Sequence, residues 1–303
     1  MKFGLFAVNV GPGSTSAGAR SRALLAEALA FESLWTVEHV VVPSAYTTVY
    51  PYDESGKMMG GEEEVELPDP LIWLSYVAAV TERIKLATGI VVMPQRNPVV
   101  TAKEVATLDH LSGGRVILGV GAGWLREEFE AIGVPFHDRG TRLDDYIEAM
   151  RSLWKDTRAS THNAYVDFDN AISLPHPPSG AVPIVIGGHS ARAARRAARI
   201  GDGFFPTVGS AEELTHLLGL VEKECREVDR EPDEIEVTVP LLADLNGLEG
   251  ASVASRTRLD SLSTAIEAMT RAGAGRILLG TPADDSLPVV AETLARRFGM
   301  YAG

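Results

Sequence analysis

The stretch from Ile84 to Trp124 constrains this chain more than any other. An apolar, β-branched run over Ile84–Val92 ends at Pro94 and a polar turn, Gln95-Arg96-Asn97. A helix is predicted to follow, with Asn97 as N-cap and Pro98 in the first helical position. Ala102, Val105 and Ala106 share one face of it, and Ser112-Gly113-Gly114 ends it. A second apolar run, Val116–Val120, closes in the glycine series Gly119, Gly121 and Gly123. Two strands apolar throughout, joined by a helix, describe a parallel βαβ unit covered on both faces. The glycines fall where the second strand ends, which is where such folds bind ligands.

The same alternation runs the length of the chain. Further strands are predicted at Lys2–Val8, Ser33–Val37, Pro183–Ile186, Gly203–Pro206, Ile235–Val239 and Arg276–Leu279, making eight in all. Helical patterns separate them. Leu143, Tyr146, Ile147, Met150, Leu153 and Trp154 form one stripe within Arg142–Trp154, and Leu259, Leu262, Ile266 and Met269 form another. Eight parallel-type strands with intervening helices predict an α/β fold of the (β/α)8 TIM-barrel type, with a doubly wound open sheet as the alternative. No low-complexity linker divides the chain and no short repeat is present, so one domain is expected over 1–303.

Composition narrows the class. With 45% hydrophobic residues, 303 residues suffice for one large core. A formal net charge of -13 argues against a general nucleic-acid or anionic-membrane surface and leaves room for a local basic pocket. The single cysteine, Cys225, is in register with Leu214, Leu217, Leu218, Val221 and Val228, which predicts a buried helical residue. The N-terminus reads as a first strand, not a signal peptide, and no run reaches the roughly 18 apolar residues of a membrane span. A soluble, cytoplasmic protein is expected. The seven histidines show no paired metal-ligand spacing, so a metal-dependent hydrolase on the same barrel is disfavoured and no metal site is assigned.

Two segments exceed a minimal barrel. Tyr46–Pro68 follows the second strand and is long, charged and glycine-containing, with Tyr46, Tyr50, Pro51 and Tyr52 near its start. A loop of this length is functional or disordered; on the C-terminal face it reads as a lid whose tyrosines wall a substrate pocket, against the alternative of a mobile surface loop. Thr161–Pro178 reads as a short hairpin with a proline-rich return.

Two motifs carry chemistry. Gly187-Gly188-His189-Ser190 lies between a strand and an Ala/Arg-rich helix, with Ser190 as a natural N-cap. Glycines let backbone approach a ligand, and a helix start attracts phosphate; a plain strand-to-helix turn suits the same residues. Arg192, Arg195 and Arg196 read mostly as a solvated face. Glu38-His39 ends the second strand, the position of a barrel active site. His39 is suited to proton transfer near neutral pH, or to a structural hydrogen bond. Glu38 either orients His39 or pairs with a barrel arginine.

Four segments together resemble the luciferase-like monooxygenase superfamily of flavin- and deazaflavin-dependent oxidoreductases. They are WTVEHVVVP at Trp35–Pro43, LATGIVVMPQRNP at Leu86–Pro98, LSGGRVILGVGAGWLREEFEAIGVPF at Leu111–Phe136 and PIVIGGHSARAARRAARIGDGFFP at Pro183–Pro206. The subgroup it looks most like is that of oxidoreductases dependent on the deazaflavin coenzyme F420. The resemblance implies a TIM barrel and a homodimer. It implies that Gly187, Gly188, His189 and Ser190 meet the cofactor phosphate, and that a non-prolyl cis peptide lies within Thr88, Gly89 and Ile90 against the ring. It also implies that Glu38 and His39 face ring and substrate. Ala122, Gly123 and Trp124 fall beside the cofactor; some sugar-phosphate dehydrogenases of the family carry a proposed proton-donating glutamate where Trp124 stands, so that chemistry is doubtful. Trp124 packs on the cofactor, walls the pocket or packs in the core. The implied activity is hydride transfer between F420 and a small organic substrate. The alternatives are an FMN-dependent monooxygenase using molecular oxygen, and a non-catalytic cofactor-binding barrel.

Overall fold

The computed structural model describes residues 1–248 and 252–300. The single domain expected over 1–303 therefore takes in 249–251 and 301–303, which lie outside the described residues. The strands are β1 (Lys2–Phe6), β2 (Ser33–Thr36), β3 (Lys85–Thr88), β4 (Val91–Val92), β5 (Val116–Gly121), β6 (Ala159–His162), β7 (Asp167–Ala171), β8 (Ile184–Gly187), β9 (Gly203–Phe205), β10 (Glu236–Leu241) and β11 (Arg276–Gly280). The helices are α1 (Ser16–Ala28), α2 (Pro70–Ala78), α3 (Pro98–Ser112), α4 (Arg126–Ala131), α5 (Arg139–Lys155), α6 (Ala191–Ile200), α7 (Ala211–Glu227), α8 (Val253–Arg271) and α9 (Leu287–Phe298).

Parallel pairing runs β1–β2–β3–β5–β8–β9–β10–β11 and returns to β1, which closes an eight-stave TIM barrel. The β6–β7 hairpin is antiparallel and stands outside it. All six residues of β5 are buried, as a strand covered on both faces requires. Asn97 caps α3 by accepting from the N–H groups of Val99 and Val100, and Gly113 ends it in the left-handed region at φ 72°. On α5 the stripe Leu143, Ile147, Met150, Leu153 and Trp154 is buried, and the Trp154 indole N–H donates to the Ala102 carbonyl of α3 at 2.9 Å. Truncating so large a buried ring costs about 3–5 kcal/mol. Cys225 is buried on α7 and the α8 stripe is buried as expected.

The barrel interior is a separate small core. Trp35, Ala87, Ile117, Val185, Phe205 and Leu278 meet there, with Phe6 and Ile90 partly buried against them. Trp35 and Phe205 stack at 5.5 Å with an 8° interplanar angle.

One predicted strand is two. Ile84–Val92 does not run through: β3 stops at Thr88, the Gly89–Ile90 peptide is cis, and β4 resumes the pairing with β5 at Val91. The cis bond lies where the resemblance implied it. The Ile90 side chain turns into the barrel and occupies space that two neighbouring strands leave for it. A Cβ on Gly121 would lie 2.7 Å from Ile90 Cδ1, and one on Gly187 would lie 2.6 Å from Ile90 Cγ2. The glycine series at the end of β5 also serves packing. Gly119 lets β5 approach the Thr88 carbonyl, Gly121 admits Ile90, and Gly123 makes room for Val92 and Phe129.

Candidate active site at the mouth of the barrel

The C-terminal ends of the strands gather most of the sequence-predicted residues at one mouth. Its floor is aromatic. A Cβ on Gly89 would meet Phe6 at 3.1 Å, Trp35 at 3.2 Å and Phe205 at 3.4 Å, so the backbone here lies directly on the three rings. Sequence reasoning missed these rings, because 170 residues separate Trp35 from Phe205 and neither stands in a recognisable motif.

Glu38 and His39 lie just beyond β2 and part company. Glu38 is 6% exposed, and both of its oxygens are engaged. Oε2 accepts the Val92 N–H at 2.5 Å, and Oε1 accepts Arg96 Nε at 2.8 Å. Arg96 also reaches Asp69 Oδ2 at 2.5 Å, and Asp69 caps α2. Burial raises the Glu38 carboxyl, and Arg96 and the Val92 N–H offset part of that. Of its two readings, the ion pair with an arginine is the one observed: Glu38 ties the β2 exit to β4 and α2, and it neither touches His39 nor opens to the mouth. A catalytic or orienting role for Glu38 is corrected accordingly. The group on His39 is Glu128 of α4, whose Oε2 lies 2.9 Å from His39 Nδ1. Glu128 was missed, although a signal exists. Leu125, Glu128, Phe129 and Ile132 share a helical stripe, and a carboxylate inside an apolar stripe asks for a buried partner.

Thr88 is fully buried and its hydroxyl donates to the Gly119 carbonyl at 2.7 Å. Its hydroxyl is committed to a strand-to-strand bond, and the adjoining Ile90 packs against the barrel interior. Ala122, Gly123 and Trp124 follow β5. Trp124 is the hub of an aromatic wall, in edge contact with His39 at 5.8 Å, Tyr46 at 5.6 Å and Tyr50 at 5.0 Å. The wall continues from Tyr50 to Tyr52 at 5.3 Å and from Tyr52 to His189 at 5.0 Å. The three loop tyrosines thus meet the mouth. Burial, with the neighbouring Tyr52 and Asp53, pushes the Tyr50 phenol up to about 12, so it stays a hydrogen-bond donor at neutral pH.

The long loop is pinned at several points. Glu127 accepts the N–H and hydroxyl groups of both Thr47 and Thr48, between 2.6 and 3.0 Å. The Thr48 hydroxyl and these N–H groups lower the Glu127 carboxyl to about 2. Met58 N–H donates to the Tyr46 hydroxyl at 2.8 Å, and Glu63 accepts from Ser44 and Ala45.

Across the mouth, Gly187 ends β8 and Gly188 takes φ 131°, its N–H donating to the Phe205 carbonyl at 3.1 Å. A side chain is strained at that φ. His189 and Ser190 are exposed, and Ser190 Oγ accepts the Ala193 N–H at 3.2 Å, capping α6. Ala193, Ala194, Ala197 and Ala198 are buried, so small side chains bring α6 close to the barrel. The first N–H groups of such a helix have no intrahelical acceptor. Arg192 and Arg195 are exposed as a solvated face requires; Arg196 pairs with Asp144, while Arg195 and Arg199 pair with Glu224. Arg192 differs. It lies near Arg126 and Arg139, and no carboxylate pairs with any of the three among the described residues. Arg139 donates through Nε to the Gly123 carbonyl at 3.0 Å and lies 3.8 Å over the Phe136 ring, with Arg126 4.6 Å over the same ring. Burial, and then the like charges of Arg126 and Arg192, lower the Arg139 guanidinium. In a chain of net charge -13, three arginines without carboxylate partners among the described residues, near a capped helix start, concentrate positive charge locally. Sequence reasoning missed the group because its members are spread over 67 residues, from Arg126 to Arg192.

The arrangement combines an aromatic floor, this group of arginines without carboxylate partners on one side and an imidazole on the other. Residues 1–246 match the family model described as luciferase-like monooxygenase. The chain belongs to that family. An uncharacterised protein of Mycobacterium tuberculosis is 35% identical over 187 residues, which is 62% of this chain and 65% of that relative. An F420-dependent glucose-6-phosphate dehydrogenase of Nocardia farcinica is 40% identical over 152 residues, 48% of this chain and 45% of its own. An FMNH2-dependent dimethylsulfone monooxygenase of Pseudomonas putida is 36% identical over 140 residues, 45% of this chain and 38% of its own. Among solved structures, the monooxygenase RslO1 from Streptomyces bottropensis superposes with a TM-score of 0.77 at 22% identity, covering 98% of each chain. The family has oxidoreductase members that use F420 or FMN.

Proposed function

We propose that this protein binds coenzyme F420 at the barrel mouth and moves a hydride between it and a small organic substrate. The observation that carries the reading is the uncompensated cluster Arg126, Arg139 and Arg192 beside the Gly187–Ser190 helix start. FMN ends at its phosphate, whereas F420 continues into an acidic oligoglutamate tail, and three cations exceed what one phosphate needs. Gly89–Ile90, backed by Phe6, Trp35 and Phe205, would supply the apolar floor for the cofactor ring.

When bound, the deazaflavin supplies the carbon that accepts or gives the hydride. The chain's own residues do the rest. The Gly187–Ser190 turn and Arg139 hold the anionic chain, and the Trp124–Tyr50–Tyr52 wall excludes water. His39 takes or returns the proton that accompanies the hydride. Glu38, being paired with Arg96, is left out of the proton path.

The test is equilibrium titration of the purified protein with each cofactor, followed by fluorescence. Tighter binding of F420 is expected; a preference for FMN of tenfold or more, about 1.4 kcal/mol, overturns the assignment. The second reading, an FMN-dependent monooxygenase, draws on the P. putida relative and predicts oxygen consumption with reduced FMN. A non-catalytic cofactor-binding barrel predicts binding with no turnover at all. No described helix is long and apolar enough to cross a membrane; a cytoplasmic location is part of the proposal. So is a homodimer, for which the exposed Ile72 and Tyr76 of α2 and Val99, Val100 and Leu111 of α3 offer an apolar face.

A further inference from the structure

We infer that Glu128 is the positioning residue for His39: it holds the proton on Nδ1 and thereby turns the Nε2 lone pair to the barrel mouth. The inference rests on the proposed role of His39 for its consequence in catalysis, but its geometry stands by itself. The Glu128 side chain is 1% exposed, and it pairs with no lysine or arginine among the described residues. Its Oε1 accepts the Val40 N–H at 2.6 Å and the Val41 N–H at 3.4 Å. Its Oε2 lies 2.9 Å from His39 Nδ1. Donors thus converge on both oxygens, and Nδ1 completes the set only if it carries the proton. The other ring nitrogen has no protein partner among the described residues, and the ring is 10% exposed at the mouth, in edge contact with Trp124. A neutral imidazole protonated on Nδ1 is an acceptor at Nε2. The opposite tautomer would set the Nδ1 lone pair against the carboxylate and leave Nε2 unable to receive a proton.

The fixation reaches beyond one bond. Val40 and Val41 immediately follow His39, so the same carboxylate holds the backbone that carries the ring and the ring itself. Two χ angles and the local chain are therefore restrained by one side chain from α4, 89 positions away in sequence. That is the way a proton-transfer group is kept aimed from one turnover to the next.

The test reads the tautomer directly and needs no cofactor or substrate. Long-range ¹H–¹⁵N correlation spectra of ¹⁵N-histidine-labelled protein, assigned with His39→Asn, report which nitrogen carries the proton. At about pH 9, well above the ordinary histidine value, Nδ1 of His39 should be protonated in the wild type. In Glu128→Gln the amide still accepts from Val40 and can donate to the ring, so the Nδ1-protonated form should cease to be the major one. An Nδ1 without its proton in the wild type overturns the inference, and so does a tautomer unchanged in Glu128→Gln. The wild-type spectrum decides even if the variant does not fold. Cofactor titration of the same samples separates the two ideas. A tautomer as expected in a protein that binds neither F420 nor FMN leaves Glu128 as the group that sets the ring and removes the oxidoreductase reading. The converse result keeps the oxidoreductase reading and removes Glu128.

Discussion

The contact between Ile90 and the glycines around it predicts a specific non-additivity. In Gly121→Ala the new methyl carbon meets Ile90 Cδ1 at 2.7 Å and Cγ1 at 3.0 Å, while the next nearest atom, Ile90 Cβ, is at an ordinary 3.9 Å. Gly121 is not among the positive-φ glycines, so alanine faces no backbone penalty there. The whole conflict is with one side chain. Overpacking of this kind costs about 1–3 kcal/mol, against which the loss of glycine flexibility in the unfolded chain returns about 0.4–1 kcal/mol. Gly121→Ala should therefore destabilise by roughly 1–2 kcal/mol net. Ile90→Ala removes packing inside the barrel and also destabilises by itself. In the double variant the alanine methyl enters the space that Cδ1 and Cγ1 have left. Its stability should be no lower than that of Ile90→Ala alone, a coupling of about 1–2 kcal/mol in favour of the pair. Urea unfolding followed by tryptophan fluorescence, with the slope compared across all four proteins, measures it. Additivity within about 0.5 kcal/mol would show that Gly121 is glycine for some reason other than Ile90, and the account of the interrupted strand would fail.

His39→Ala should lower single-turnover hydride transfer by about 10²-fold or more, and by leaving the buried Glu128 Oε2 without its donor it should cost about 1–3 kcal/mol of stability; normal turnover would make His39 structural. Arg139→Ala should weaken cofactor binding by about 10–100-fold, the range of a charged hydrogen bond, and flatten its dependence on salt; an affinity and salt dependence equal to wild type would move the anion site elsewhere. Glu127, whose folded value of about 2 lies below its ordinary 4.5, contributes loop anchorage that is complete above 4.5 and is lost as pH falls through about 2. Glu127→Gln should remove that acid dependence, seen as faster cleavage of the 44–68 loop by added protease already at neutral pH. Equal cleavage of the two proteins would show that Thr47 and Thr48 are held by something else.

The sequence was most legible where a single element carries its own signal. Asn97-Pro98 and Gly113 bracket α3 because capping is a matter of adjacent residues, and β5 reads as buried because both its faces are covered. The break after Thr88 was not legible in composition; a β-branched run looks continuous whether or not a peptide within it flips, and only the family likeness pointed to Gly89–Ile90. The glycines at the end of β5 were seen, but not their packing against Ile90, Val92 and Phe129. Glycine marks a close approach, and sequence does not say whether the approaching atom belongs to a ligand or to Ile90. Glu38 shows the same limit from the other side. A carboxylate next to a histidine in sequence alternates away from it along an extended chain, so the two side chains diverge, Glu38 toward Arg96 and His39 toward Glu128.

The mouth is built to form as one unit. Helix α4 has only six residues, too few to be stable by its own hydrogen bonds. It carries Glu127, which holds Thr47 and Thr48, and Glu128, which holds His39, Val40 and Val41. The Trp124 ring just before it seats Tyr46 and Tyr50. Each side is expected to depend on the other for its placement, the loop having little secondary structure to fix its tyrosines and the helix little length to fix its acids. Loop placement and His39 orientation are therefore coupled through two adjacent carboxylates. A change on the loop side, such as loss of the Thr48 hydroxyl, should reach the imidazole without touching it, and a change at Glu128 should loosen the tyrosine wall.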